Sequence, residues 1–244
     1  MPALPSPRPP AFVFFDLDDT LLDHGHAERA ALADLRVTFG DHVGHHALAH
    51  LHTSYRASNA PELWADYGAG RISSDELKRL RSERFLAAVG AAGLDPLAFS
   101  SAYLDRYAHH WTWAPGAEAA FHAVADRVPV GILTNGFREQ QRGKLARFPE
   151  IARRTTVVVV SEEVGVAKPH RGVFEHALAE ASRAVGRALA PSEVLMVGDS
   201  LASDIRGAVD AGWQAVWIGG DPIHAPEGVQ VCATCAEWVD GLTP

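Results

Sequence analysis

The 244-residue chain is long enough for one large domain or two smaller ones, and its 47% hydrophobic and 21% charged residues exclude a protein that is disordered throughout. The formal net charge of -8 at pH 7 argues against binding to a nucleic-acid polymer, which depends on lysine and arginine. A small phosphorylated ligand is compatible with this charge, because it needs only a local positive pocket.

The sequence carries no recognisable secretion or membrane signal. Its first residues, MPALPSPRPP, lack the basic start, the apolar segment and the cleavage site of a signal peptide, and no apolar run approaches the length of a membrane span. The two cysteines lie in a single CATC motif and supply only two of the four ligands that a structural zinc site needs. We therefore expect a cytoplasmic protein with no membrane partner, either a monomer or a homodimer.

Five short apolar runs predict buried strands of a parallel sheet. In chain order they are AFVFFD from Ala11, VPVGILTNG from Val128, TTVVVVSE from Thr155, VLMVGDS from Val194 and QAVWIGG from Gln214. Amphipathic stretches predict helices between the later runs, at about 116–127, 138–147, 170–186 and 203–211. A weaker run at 228–232 predicts an edge strand. This alternation is typical of a layered α/β domain.

The interval between the first two runs breaks this rhythm. It is about ninety residues long, has no convincing strand, and contains helical segments such as SSDELKRLRSERFLAAVG, which opens on serine and closes on glycine. We predict a helical module at 22–109, inserted into an α/β core formed by 1–21 and 110–244. Histidines crowd one segment of this module, at His42, His45, His46, His50 and His52. The spacing of the first four favours a solvated helix face, with a second metal site as the alternative.

Polar side chains follow the predicted strand ends. In chain order they are Asp16, Asp18, Asp19 and Thr20, then Thr134, Asn135 and Gly136, then Lys168, and finally Asp199, Ser200 and Asp204. Each group alone is a common turn or helix cap. Because ligands of open parallel sheets bind outside the carboxyl ends of the strands, all four groups together predict one site at this edge.

The residue types indicate phosphate chemistry with a divalent cation. A cluster of aspartates suits Mg2+, which would offset the repulsion between the carboxylates. One carboxylate could attack phosphorus, and a second one two residues further on could serve as general acid and base. The hydroxyl of Thr134 could hold phosphoryl oxygens, and Lys168 could neutralise the transferring group. Asp199 is a natural further metal ligand, and Asp204 could orient it.

Four motifs resemble those of the haloacid dehalogenase (HAD) superfamily: DLDDT, TNG, the lysine of VAKP, and GDSLASD. The resemblance implies a Rossmann-like parallel-sheet core with an inserted all-helical cap of the first type. It implies that Asp16 is the nucleophile and Asp18 the general acid and base. It further implies a phosphate site formed by Thr134, Asn135 and Lys168, and a Mg2+ site formed by Asp16, the backbone carbonyl of Asp18, and Asp199.

Longer segments narrow the resemblance. LTNGFREQQRGKL, VSEEVGVAKPHRGVFEHAL and VLMVGDSLASDIRGAVDAGW are similar to the pyrimidine 5'-nucleotidases and the N-acylneuraminate-9-phosphatases, although GDS stands where that group often has GDN. This implies a Mg2+-dependent phosphomonoester hydrolase of small metabolites, acting on a nucleoside 5'-monophosphate or a sugar phosphate through an aspartyl-phosphate.

Three alternatives stay open. A 2-haloacid dehalogenase shares the nucleophilic aspartate but has no alcohol to protonate, so Asp18 argues against it. A phosphoglucomutase-like phosphotransferase keeps all four motifs. A non-catalytic phosphate-binding protein would be favoured by a lost nucleophile or lysine, and neither Asp16 nor Lys168 is lost.

Overall fold

The computed structural model describes residues 9–241. Its strands are β1 (Phe12–Phe15), β2 (Val130–Thr134), β3 (Thr155–Val160), β4 (Val194–Gly198), β5 (Gln214–Ile218) and β6 (Gln230–Cys232). Its helices are α1 (His24–Thr38), α2 (Gly40–Val43), α3 (Leu48–Ser58), α4 (Pro61–Gly68), α5 (Ser74–Ala88), α6 (Pro96–His109), α7 (Ala117–Ala125), α8 (Arg138–Arg147), α9 (Pro149–Arg154), α10 (Ser161–Val164), α11 (Arg171–Ala184), α12 (Arg206–Asp210) and α13 (Cys235–Asp240), with a π-helical turn at Leu201–Ile205.

The described chain divides into two compact units, one formed by residues 9–23 and 113–241, the other by residues 24–112. The sequence places the corresponding boundaries between 21 and 22 and between 109 and 110. The first unit contains the six described strands, and the second is helical. No helix among the described residues is both long enough and apolar enough to cross a membrane.

A six-stranded parallel sheet organises the first unit, in the order β3-β2-β1-β4-β5-β6. The predicted Rossmann-like sheet is confirmed, including its weak edge strand at β6. Strand β1 lies between β2 and β4, and Phe15 pairs with Ile132 on one side and Val197 on the other. This register brings the residues that follow β1, β2 and β4 to the same edge of the sheet.

Aromatic side chains fill the core of this sheet because its central strands are buried on both faces. Phe14 stacks on Trp213 with ring centroids 5.4 Å apart, and it contacts Phe12 at 4.8 Å. Their neighbour on β2 is Gly131, where a Cβ would lie 2.5 Å from the Phe14 ring. Two large rings on one strand therefore require glycine on the next.

The helical unit has its own apolar core, which includes Phe85 and Phe99 with ring centroids 5.1 Å apart. The hydroxyl of Ser73 accepts a hydrogen bond from the backbone N–H of Glu76 and caps α5. Gly90 adopts a positive φ just after the end of α5. The helix predicted from its serine and glycine ends is thus confirmed.

The predicted single helix face of histidines is wrong. His42 lies in α2, His45 and His46 lie in the connection that follows, and His50 lies in α3. The chain leaves the helix after Val43, so helical spacing does not continue through the segment. His46 Nε2 bonds the carbonyl oxygen of Val89 at 2.8 Å.

Candidate active site at the carboxyl edge of the sheet

A buried lysine is the centre of the site. Lys168 Nζ lies 2.9 Å from Asp16 Oδ1 and 2.7 Å from Asp204 Oδ1, and it donates a hydrogen bond to the Leu133 carbonyl oxygen at 2.7 Å. Lys168 and Asp204 are almost fully buried. Three acceptors thus surround an ammonium group that has three protons, which fixes its position between the two carboxylates.

Asp16, Asp199 and Asp204 form a group whose ligand atoms lie within 4.8 Å of one another. Among the described residues it is the one group of three or more histidine, cysteine or acidic side chains close enough to share a metal ion. The hypothesis of a histidine metal site in the helical unit therefore finds no support there. The buried Asp16 Oδ1 forms an ion pair with Lys168 but accepts no hydrogen bond of good geometry.

The charge of this group fits a hard divalent cation. Three carboxylates and one ammonium carry a formal charge of -2 when all are ionised, and carboxylate oxygens are the ligands that Mg2+ prefers. Asp204 is already engaged: its Oδ2 accepts a hydrogen bond from the backbone N–H of Ser200 at 3.0 Å. Asp16 and Asp199 are therefore the better ligands, and Asp204 holds the lysine.

Burial and mutual repulsion change the acidity of these groups. Burial raises the pKa of Asp16; the nearby Lys168 opposes this shift, while Asp204 and Asp18 add to it. Burial, followed by repulsion from Asp16 and Asp204, raises the pKa of Asp199 to about 8. Burial disfavours the charge on Lys168, but the two carboxylates beside it raise its pKa. Without a cation the site holds more negative charge than its surroundings stabilise.

Local backbone geometry presents these side chains. Asp19 has a φ of 56°, a left-handed conformation that aspartate adopts more readily than most residues. It lies in the tight turn after β1, where its N–H donates to the Leu22 carbonyl oxygen at 2.8 Å. At the end of β4, a Cβ on Gly198 would lie 2.4 Å from Asp204 Oδ2. Glycine there lets the buried carboxylate of Asp204 approach the strand.

Asn135 is bound to the backbone of the lysine. Its Nδ2 donates to the Lys168 carbonyl oxygen and its Oδ1 accepts from the Lys168 N–H, both at 2.9 Å. The preceding Thr134 is buried at the end of β2. The Asn135 side chain is therefore engaged with the backbone of Lys168 and positions that residue.

Asp18 has two partners on a helix that the four motifs do not include. Lys144 Nζ donates to Asp18 Oδ1 at 2.5 Å, and Gln141 Nε2 donates to Asp18 Oδ2 at 3.0 Å. Both partners lie on α8, whose buried residues are Gln141, Lys144 and Leu145. A signal was present: REQQRGKLAR has too few apolar residues to cover a helix face, so polar residues must be buried on it.

Proteins with similar sequences include a named nucleotidase and a named phosphatase. A family model described as haloacid dehalogenase-like hydrolase matches residues 11–212. A pyrimidine 5'-nucleotidase of Escherichia coli, YjjG, is 34% identical over 220 residues, covering 89% of this chain and 90% of that protein. A phosphoserine phosphatase of Thermus thermophilus is 31% identical over 235 residues, covering 84% of this chain and 87% of that protein.

A solved structure shares the fold. The HAD-hydrolase YfnB of Bacillus subtilis, whose crystal structure contains magnesium, superposes with a TM-score of 0.76 at 23% identity. The match covers 97% of this chain and all of the other.

Proposed function

The chain belongs to the haloacid dehalogenase-like hydrolases, and from this premise we propose that it is a Mg2+-dependent phosphomonoester hydrolase of small metabolites. The observation that carries the proposal is the excess negative charge around Lys168, with Asp18 placed two residues beyond Asp16. The two relatives given above are named as a nucleotidase and a phosphatase, which supports phosphate esters as the substrate class.

Asp16, the backbone carbonyl of Asp18, and Asp199 would hold the Mg2+ ion. The repulsion between the buried carboxylates, which contributes to the raised pKa of Asp199, is what a cation bound to these oxygens would relieve. When bound, the cation supplies positive charge beside the phosphoryl oxygens and the attacking carboxylate.

The reaction then has two steps, formation of an aspartyl-phosphate and its hydrolysis. The Asp16 carboxylate attacks phosphorus, the bond to the leaving oxygen breaks, and Asp18 gives its proton to that oxygen. Asp18 next takes a proton from water, the water oxygen attacks the aspartyl-phosphate, and inorganic phosphate leaves with Asp16 restored. Lys168 neutralises the transferring group throughout, and the Thr134 hydroxyl holds one of its oxygens.

We place nucleoside 5'-monophosphates first among the substrates and sugar phosphates second, following the likeness to the E. coli pyrimidine 5'-nucleotidase. A cytoplasmic monomer or homodimer, with a small phosphorylated metabolite as its partner, belongs to the same proposal.

Phosphate release from a panel of esters tests the function. The panel contains pyrimidine and purine nucleoside monophosphates, sugar phosphates and 4-nitrophenyl phosphate, each with Mg2+ and with a chelator. We expect release only with Mg2+ and fastest turnover of a pyrimidine nucleoside monophosphate. Chloride release from a 2-haloacid without metal would indicate a dehalogenase, and exchange of phosphate between sugar positions would indicate a transferase. A folded protein that releases phosphate from no ester would contradict the proposal.

Binding of Mg2+ is expected to stabilise the folded protein by an amount that depends on pH. The folded pKa of Asp199, about 8, exceeds its ordinary value of 3.8, so the folded state binds more protons between these limits. Metal-free stability therefore falls as pH rises from 4 to 8. Because Mg2+ competes with these protons, it should raise the melting temperature more at pH 8 than at pH 6. At a concentration 100-fold above Kd the gain is about 2.7 kcal/mol, or roughly 5–10 °C.

Thermal unfolding with and without Mg2+, at both pH values, measures this gain. Asp199→Asn is the matched control, since it keeps the size of the side chain but loses the charge. It should abolish most of the Mg2+ effect. An equal gain in the variant would show that the ion binds elsewhere.

A further inference from the structure

We propose that Lys144 and Gln141 are positioning residues that hold the Asp18 carboxylate for proton transfer to the leaving group. The inference rests on the proposed function, in which Asp18 is the general acid and base. It assigns a role to α8 (Arg138–Arg147), which lies beyond the end of the TNG motif.

One face of α8 holds both oxygens of the carboxylate. Gln141 and Lys144 are three residues apart, so their side chains lie on the same side of the helix. Lys144 Nζ reaches Asp18 Oδ1 at 2.5 Å, and Gln141 Nε2 reaches Asp18 Oδ2 at 3.0 Å. A carboxylate held at each oxygen by a separate donor has little freedom to rotate. The two donors therefore fix the direction in which Asp18 presents its remaining lone pairs.

The burial of Lys144 is costly unless it serves this contact. Lys144 and Gln141 are each only 1% exposed. Taking an ammonium group out of water costs several kcal/mol, and an apolar residue of similar volume often gives equal or greater stability. Helix packing alone would thus be met by methionine or leucine at position 144. The partner of the buried charge is the side chain that we assign to proton transfer, which points to function as the reason for the lysine.

Gln141 also ties Asp18 to the loop after β2. Its Nε2 donates a second hydrogen bond, to the Asn135 carbonyl oxygen at 2.9 Å. Gly136 makes room for this side chain: it has a φ of 135°, and a Cβ there would lie 2.7 Å from Gln141 Nε2. The loop that holds Lys168 through Asn135 therefore also holds the partner of Asp18.

Positioning of a general acid has a signature that structural damage lacks. A poor leaving group, such as an alkoxide or an unsubstituted phenolate, needs its proton as the bond breaks, whereas 4-nitrophenolate leaves without one. A misplaced Asp18 should therefore slow esters of basic alcohols selectively. A change that merely loosens the fold should slow all esters alike.

The test is the dependence of kcat/KM on leaving-group acidity in a series of substituted phenyl phosphates of similar shape, with Mg2+. We expect Lys144→Met to lower kcat/KM for the most basic phenol by about 10- to 100-fold, part of the 10²–10⁴ that general acid catalysis supplies. The kcat/KM for the 4-nitrophenyl ester should change little. Lys144→Arg should restore much of the loss. Gln141→Leu should give a weaker effect of the same kind, and it serves as the second variant if Lys144→Met folds poorly.

Arg142→Met is the matched control on the same helix. Arg142 is exposed and pairs with Glu163 through Nε at 2.9 Å, so its removal should leave the leaving-group dependence unchanged. In an Asp18→Asn background, Lys144→Met should add no further selective loss, because the residue it positions is gone.

The outcomes separate the inference from the function on which it rests. If Asp18→Asn steepens the leaving-group dependence but Lys144→Met lowers all esters equally, the positioning role is overturned and the hydrolase stands. Faster reaction of basic esters in Lys144→Met would show that the pair restrains Asp18 away from the leaving group, which also overturns it. If the wild-type protein hydrolyses no ester, or Asp18→Asn shows no selectivity, the proposed role of Asp18 fails and the inference fails with it.

Discussion

Replacing Asp16 by asparagine is expected to lower kcat for phosphate release on the order of 10⁴-fold or more, as loss of an essential nucleophile does in other hydrolases. The amide cannot attack phosphorus. Of the other two carboxylates in the group, Asp204 is bound to Lys168 and to the Ser200 N–H, and Asp199 is the proposed metal ligand. The variant should stay folded, because asparagine has the same shape and removes a buried charge. Steady-state kinetics together with thermal unfolding measures both effects.

Asp19→Asn is the matched control for this substitution. It makes the same chemical change three residues away, and asparagine tolerates the left-handed backbone of Asp19. Its activity should stay within a few-fold of wild type. The expected residual kcat of Asp16→Asn is far below one hundredth of the wild-type value. If the variant keeps more than about one hundredth of the wild-type kcat, Asp16 is not the nucleophile.

Replacing Lys168 by methionine should damage both activity and stability. Loss of the charge that faces the transferring group should lower kcat by about 10²–10³, the range seen when a preorganised electrostatic contact is removed. Removing one partner of a buried ion pair typically costs about 3–5 kcal/mol of unfolding free energy. Here the loss of the ammonium group leaves two carboxylates, Asp16 and Asp204, close together without a counter-charge.

The stability loss of Lys168→Met should depend on pH. Protonation of Asp16, whose pKa burial raises to about 7, relieves the repulsion, so the deficit should be small near pH 5 and grow toward pH 8. Urea denaturation at the two pH values measures it. Lys144→Met is the matched control, since Lys144 is equally buried but pairs with Asp18, whose side chain is 26% exposed and keeps its hydrogen bond from Gln141. Equal deficits at pH 5 and pH 8 would contradict the view that Lys168 counters buried carboxylate charge.

Local sequence patterns sufficed for the sheet and the family. Five apolar runs predicted β1 to β5, because a strand buried on both faces is largely apolar along its length, and a weaker run predicted the edge strand β6. The order of the polar strand ends indicated the HAD-like hydrolases, and the family match confirms this. Placing Asp16 and Asp199 at one edge of the sheet followed from parallel topology alone.

The histidine segment shows where local patterns mislead. The spacing from His42 to His50 is helical on paper, yet the chain turns between α2 and α3. Such a break depends on how Val43 and Leu51 reach the apolar core of the helical unit, and both are buried there.

By itself the sequence determined the strands, the family and the acidic residues that the proposed chemistry uses, because hydrophobic periodicity and motif order are properties of neighbouring residues. Only the tertiary structure decided the partners of the charged side chains. Lys144 is 126 residues from Asp18, and Asn135 is 33 residues from Lys168. A buried charge must find its counter-charge or hydrogen-bond partner wherever the packed elements bring one close, and sequence distance places no limit on that choice.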